Sequence, residues 1–154
     1  MSCAPFVQTP VEVAKKMIQL AGLKPGQKLF DLGAGDGRLV IMAAQETEGS
    51  AVGVEMREDL IERARTEIKR LNLEGRVNMI HDDFFNVDLS EADVVTLYLT
   101  TSGNERLRPK LEHELKKGAK VISHDFKVGN WKPSAVYSEL LGHTIYSYEV
   151  GAQL

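Results

Sequence analysis

Lys28-Leu29-Phe30-Asp31-Leu32-Gly33-Ala34-Gly35-Asp36-Gly37-Arg38 is the stretch that decides the fold of this chain. It reads as an apolar strand that stops at an acidic residue and turns through three glycines into a helix. A second strand, Ala51-Val52-Gly53-Val54, follows and ends in Glu55. A tight Gly-rich turn at a strand's carboxyl end lets a ligand approach the backbone closely. An acidic side chain ending the next strand suits a ribose diol. The pairing points to an adenosine-containing cofactor at the switch point of an open α/β sheet.

Glycine spacing narrows the choice. The dinucleotide fingerprint is G-x-G-x-x-G, and its helix N-terminus faces a pyrophosphate. Here the pattern is G-x-G-x-G, with Asp31 before it and Asp36 inside it. Two carboxylates would repel a pyrophosphate but favour the ammonium of an amino-acid-bearing cofactor. D-x-G-x-G-x-G is the form associated with S-adenosylmethionine (SAM) methyltransferases. The alternative is an ordinary strand–turn–helix connection with glycines at left-handed positions. Both flanking carboxylates, with Glu55 in register, favour the cofactor.

At 154 residues the chain is one domain's worth, and 43% hydrophobic residues suit a single core. No stretch approaches the ~18 consecutive apolar residues of a membrane span. Met1-Ser2-Cys3-Ala4-Pro5-Phe6 has neither the charged nor the apolar region of a signal peptide. Cys3 is the only cysteine, so an internal disulfide is impossible. A cytoplasmic monomer is the expectation. The net charge is −3, whereas nucleic-acid binders usually carry a basic face. Arg57, Arg63, Arg65, Lys69 and Arg70 do cluster, but Glu58, Asp59, Glu62 and Glu67 interleave with them. That pattern describes a salt-bridged solvent face, with nucleic-acid binding as the alternative. Arg106, Arg108 and Lys110 form a second local cluster.

Along the chain, Thr9-Pro10-Val11-Glu12 predicts a helix start in which Thr9 caps, Pro10 takes the first helical position and Glu12 completes a capping box. Gly22 and Pro25-Gly26 end that helix. Strands are predicted at 28–32, 51–55, 77–80, 93–99 and 119–123, and helices at 38–47, 58–72 and 104–115. The nearly continuous apolar run at 93–99 reads as a strand buried on both faces. Residues 135–139 and 144–150 predict an antiparallel hairpin turning at Leu141-Gly142. The result is an α/β, Rossmann-like class I SAM methyltransferase fold. Its seven-stranded sheet is mostly parallel with an antiparallel C-terminal hairpin. Residues 9–154 form the domain, and residues 1–8 an N-terminal lid segment.

The cofactor site is expected to use Gly33, Ala34, Gly35, Asp36 and Gly37 as the turn against the methionine moiety. Asp31 would sit beneath its amino group and Glu55 would accept from both ribose hydroxyls. Met56 lies against adenine or in the core. In His81-Asp82-Asp83-Phe84, Asp83 would accept from adenine's exocyclic amine and the Phe84 N–H would reach a ring nitrogen; a solvated acidic turn is the alternative. Thr96–Thr101 holds no Asn/Asp-Pro-Pro-aromatic motif, which disfavours an adenine-N6 or glutamine substrate. Tyr98 is a candidate wall of the substrate channel. Asp125, with Tyr98, Phe126 and Trp131, could form an acidic-aromatic cradle for a cation, or a buried loop network. Tyr98, Asp125 and Trp131 are therefore the catalytic candidates. The four histidines show no zinc-ligand spacing, so no metal is expected.

In these residues the chain resembles the small archaeal broad-specificity protein-lysine methyltransferases and their eukaryotic mitochondrial relatives. Pro5–Pro10, Asp31–Arg38, Phe84–Ala92 and the stretch from Leu107–Leu111 through Ser123-His124-Asp125-Phe126 to Trp131-Lys132-Pro133 carry the likeness. It implies SAM as cofactor, S-adenosylhomocysteine (SAH) as product, and methylation of lysine ε-amines on protein substrates. It also implies that Phe6 to Thr9 fold over the cofactor. Departures are Val7-Gln8 near the lid and Asp82-Asp83 at the adenine contact. Rival readings are a small-molecule or RNA methyltransferase on the same core, and a SAM-binding module without catalysis.

Overall fold

The structure is a computed structural model, and it describes residues 8–154. Four helices and seven strands alternate as α1 (Val11–Ala21), β1 (Lys28–Leu32), α2 (Arg38–Glu46), β2 (Ser50–Glu55), α3 (Glu58–Arg70), β3 (Val77–His81), β4 (Val94–Leu97), α4 (Thr101–Glu114), β5 (Lys120–His124), β6 (Ala135–Leu140) and β7 (His143–Glu149). The strands form one seven-stranded sheet in the order β3-β2-β1-β4-β5-β7-β6. β1 to β5 pair in parallel, and β7 runs antiparallel between β5 and β6. The class I methyltransferase architecture expected from the sequence is therefore present.

Two apolar clusters sandwich the sheet. On one face Val13, Met17 and Ile18 of α1 pack with Leu39 and Val40 of α2 and Ile61 and Ile68 of α3. On the other, Leu107 and Leu111 of α4 pack with Leu32, Val95, Leu97, Val121 and Trp131. Each helix presents one apolar stripe, which is why it must lie on a sheet face. The chain turns outward on either side of β1, so the gap between β1 and β4 is the switch point where α/β sheets bind ligands. The carboxyl ends of β1, β2, β4 and β5 share that rim.

Local signals were overridden in three places. α1 starts at Val11 with Pro10 as its cap residue and no side-chain cap hydrogen bond. The Thr9 hydroxyl instead lies 3.2 Å from His124 Nδ1. A tertiary contact has replaced the expected capping box. β4 ends at Leu97, short of the expected 99, because Tyr98 and Leu99 turn into the ligand rim. α4 begins at Thr101, three residues early, because the Thr100 hydroxyl accepts the Gly103 N–H at 3.0 Å. The hairpin turns where expected, with Leu141 at φ 55° and Gly142 at φ 81°. Two positive φ values match the twist of the flanking strands.

No helix among the described residues is long and apolar enough to cross a membrane.

Candidate functional site

A cavity of about 260 Å³ opens at the switch point. Its floor is the loop that joins β1 to α2. The Gly33 and Ala34 N–H groups both donate to Val54 O at 2.9 Å, which folds the loop back over β2. Gly33, Gly35 and Gly37 have φ of 80°, 60° and 81°, a region that side chains resist. Gly37 does not line the cavity. A Cβ there would lie 3.0 Å from Ala64 Cβ, so its role is close packing of α2 on α3. Gly53 was not singled out from the sequence. A Cβ on it would press within 2.5 Å of Met79 Sδ and 2.8 Å of Ala34 Cβ, so it keeps β2 clear beneath the loop.

Glu55 ties the loop together. Its Oε1 accepts the Gly35 N–H at 2.8 Å, and its Oε2 accepts the Met56 and Arg57 N–H groups at 3.0 Å each. An ionised carboxylate offers about four lone-pair sites. Three backbone donors therefore leave capacity for a hydroxyl from within the cavity.

Asp31 is 8% exposed and accepts the Thr96 hydroxyl at 2.8 Å. Burial raises its pKa to about 7, against the lowering effect of that hydrogen bond, and the Glu55 charge adds to the rise. A buried carboxyl beside a second one, at the wall of a cavity, is poised to receive a cation. Asp36 also lines the cavity, but its charge is already engaged. Arg38 binds it through Nε and Nη2 at 3.1 and 2.8 Å, and Arg63 lies at 3.7 Å. The Arg38 hydrogen bond holds the Asp36 carboxyl below its ordinary pKa despite partial burial. Asp36 therefore anchors the start of α2.

Around the cavity stand Gln8, Thr9, Met17, Leu39, Phe84, Leu97, Tyr98 and Leu99. Of the expected adenine contacts, Phe84 lines it, while Met56 and Asp83 do not. Asp83 Oδ1 accepts the Phe85 N–H at 3.0 Å and so caps the 3-10 turn Phe84–Asn86. Phe6 lies outside the described residues, as does most of the expected lid segment 1–8.

Of the candidate acidic-aromatic cradle, Tyr98 and Phe126 stack with ring centroids 6.5 Å apart, but Trp131 does not join them. Trp131 is 3% exposed in the core, packs edge-on against Tyr148 and donates its indole N–H to Glu112 Oε2 at 2.7 Å. An indole satisfied in this way is a packing element and does not reach the cavity. Asp125 also stands off the cavity. Its φ of 66° is unusual for a side-chain-bearing residue. The Asp125 N–H to Thr144 O, at 2.7 Å, and the Thr144 N–H to Asp125 Oδ1, at 3.0 Å, hold it there. Burial pushes its pKa up, but the Thr144 N–H and His143 outweigh that and keep it below its usual value.

Tyr98 is the link between the two regions. It lines the cavity and stacks on His124 with ring centroids 3.8 Å apart. Burial, then the nearby Asp125 charge, hold its phenol above the ordinary pKa. His124 is fully buried, and burial drives its pKa down to about 4. Its Nε2 lies 2.8 Å from His143 Nδ1. Thr96, Met17, Leu39, Leu99 and the His124–His143 contact were not assigned from the sequence.

A family model described as the ANTKMT methyltransferase domain matches residues 31–135. A protein-lysine N-methyltransferase of Saccharolobus islandicus is 42% identical over 96% of this chain and 94% of its own length. The adenine nucleotide translocase lysine N-methyltransferase of Mus musculus is 32% identical over 95% of this chain, which spans only 63% of that protein. Among solved structures, an RNA methyltransferase from Salinibacter ruber in complex with SAH superposes with a TM-score of 0.92. It is 40% identical and covers 96% of each chain.

Proposed function

This chain belongs to the ANTKMT methyltransferase domain family, and we propose that it transfers methyl groups from SAM to the ε-amines of lysines in protein substrates. The observation that carries the reading is the pair of strand-end carboxylates, Asp31 and Glu55, flanking a positive-φ glycine loop over one cavity. The donor set fits the cofactor. Asp31 would hold the amino group of its methionine part, Glu55 its ribose hydroxyls, and Phe84 would lie against its base. The Phe84 N–H would donate to the edge of the base. Bound there, SAM supplies a methyl group on a sulfonium centre, an electrophile that leaves SAH as product.

The chain's own work is orientation and exclusion of water. Tyr98 projects from the end of β4 at the cavity rim, where its un-ionised hydroxyl would position the incoming amine nitrogen in line with the transferred methyl. Leu97 and Leu99 give that rim an apolar wall. A free lysine has a pKa of ~10.4, and apolar surroundings lower it, favouring the neutral amine that must attack. The nitrogen lone pair forms the new C–N bond as the S–C bond breaks. Asp125 and Trp131 are left out of this step, because neither lines the cavity.

RNA is the second reading, favoured by the likeness to the RNA methyltransferase from Salinibacter ruber. Against it, Arg57 pairs with Asp59, Arg70 with Glu67, Arg108 with Glu105 and Glu112, and Lys110 with Glu114. Cations matched in this way offer no basic face for a phosphate backbone. Incubation with methyl-labelled SAM and a protein lysate, with nuclease-treated and RNA-only controls, separates the readings. Label on lysine that survives nuclease supports the proposal. Label confined to RNA, or no transfer at all, overturns it.

A further inference from the structure

We propose that His124 and Asp125 at the end of β5 and His143 at the start of β7 form a binding site for a zinc-class divalent transition metal. His124 Nε2, His143 Nδ1 and Asp125 Oδ2 make a triangle with sides of 2.8, 2.9 and 3.4 Å. All three ligand atoms lie within 4.8 Å of one another.

Hydrogen bonding alone satisfies this triangle poorly. His143 Nδ1 faces both His124 Nε2 and Asp125 Oδ2. If Nδ1 carries the proton and gives it to the carboxylate, it cannot also accept from His124. If it accepts from a protonated His124 Nε2, its lone pair is engaged and the carboxylate oxygen faces a nitrogen without hydrogen. Only a single N–H split between two acceptors serves both contacts. A cation among the three atoms satisfies every lone pair at once.

The surroundings suit a metal. A tetrahedral zinc site with Zn–N of ~2.0–2.1 Å has ligand–ligand edges of about 3.3 Å. The triangle needs to open by only a few tenths of an ångström along two sides. Metal-bound histidines usually engage their second ring nitrogen with a neighbour. Here Thr9 Oγ1 lies 3.2 Å from His124 Nδ1, so Nδ1–H can donate to it and leave the Nε2 lone pair facing the triangle. Asp125 is held at a positive φ by its paired bonds to Thr144, and that conformation brings its carboxylate to the two imidazoles. Side chains of His143 and Asp125 are 25% and 26% exposed, which gives an ion a route in and water a fourth position. Two imidazoles and one carboxylate favour zinc-class metals over calcium or magnesium, which take all-oxygen shells.

Bound metal would tie β5 to β7 and, through Thr9 and Tyr98, stiffen the back wall of the cavity. It rests on no part of the methyl-transfer reading, and its readout is binding rather than turnover. The test is titration of Zn²⁺ into EDTA-dialysed full-length protein, beside His143→Ala and Asp125→Asn, both partly exposed positions. Expected are one Zn²⁺ per chain, affinity at least tenfold weaker in each variant, and a zinc-dependent rise in melting temperature only in the unmutated protein. Co²⁺ should develop visible absorption in the unmutated protein that His143→Ala loses. Absence of stoichiometric binding, or equal binding by the variants, overturns the site and shows a hydrogen-bonded cluster only.

Discussion

Asp31→Asn is the most informative substitution, because the structure assigns opposite signs to its effects on stability and on binding. Burial raises the Asp31 pKa from 3.8 to about 7. The folded protein therefore holds this proton between pH ~4 and ~7, where the unfolded chain has lost it. The contribution of Asp31 to stability is most favourable below pH ~4 and is lost as pH rises through 7. Above pH 7 the buried charge costs up to about 4 kcal/mol, from roughly three pKa units at 1.36 kcal/mol each. The neutral amide of Asp31→Asn keeps the shape and escapes that cost, so ligand-free stability at pH 8 should rise, by denaturant titration. Binding moves the other way. A charge-assisted hydrogen bond to an ammonium is worth roughly 1.5–3 kcal/mol, so SAM and SAH should bind ~10–150-fold more weakly. Unmutated protein should itself lose up to about tenfold affinity per pH unit below 7, because binding then requires release of the Asp31 proton. Calorimetry of SAH binding at pH 6 in buffers of different ionisation enthalpy should count close to one proton released, and none in Asp31→Asn. A flat pH profile in the unmutated protein, or equal proton release in the variant, would refute the assignment of the ammonium to Asp31.

Glu55→Ala should weaken SAM binding by ~10–100-fold and lower the melting temperature, since it frees three backbone donors as well as the ribose; an intact fold with unchanged affinity would remove Glu55 from the ribose. Gly37→Ala forces a side chain into φ 81° and to 3.0 Å from Ala64 Cβ. It should cost about 1–3 kcal/mol of stability, read by denaturant unfolding, with SAH affinity of the folded fraction unchanged. Trp131→Phe removes the bond to Glu112 and should cost about 1 kcal/mol of stability with kcat and KM unaltered; a selective fall in kcat would return Trp131 to the reaction.

The glycine-loop half of the cavity was legible because its signals are local. Asp31, the glycine loop and Glu55 are strand-end and turn residues whose placement follows from the βαβ unit alone. The chemistry of Asp31 was not, because its partner arrives through the sheet. Thr96 is its register neighbour across the β1–β4 pairing, a contact between residues 65 apart. Thr9 shows the same limit from the other side. Its sequence context describes a capping box, yet its hydroxyl meets a histidine 115 residues away. The apolar run 93–99 was overextended because burial, which both strand and rim residues share, carries no mark of where pairing stops. Trp131 was drawn into the site by being aromatic near Asp125; its nearness in sequence concealed that it turns to the α4 face of the sheet.

The histidines escaped a spacing argument for a related reason. Metal motifs are read from short intervals within one segment, whereas His124 and His143 are 19 residues apart and meet only because β7 folds back antiparallel on β5. The cavity itself is two-sided. Its front is built from parallel strand ends, where the glycine loop and two carboxylates are fixed by their own backbone hydrogen bonds. At its back Tyr98 and Thr9, both outside the strands, each line the cavity and touch His124, the last residue of β5. A change at His143 can therefore reach the Tyr98 wall of the cavity through His124 while leaving the Asp31 and Glu55 hydrogen bonds unmoved.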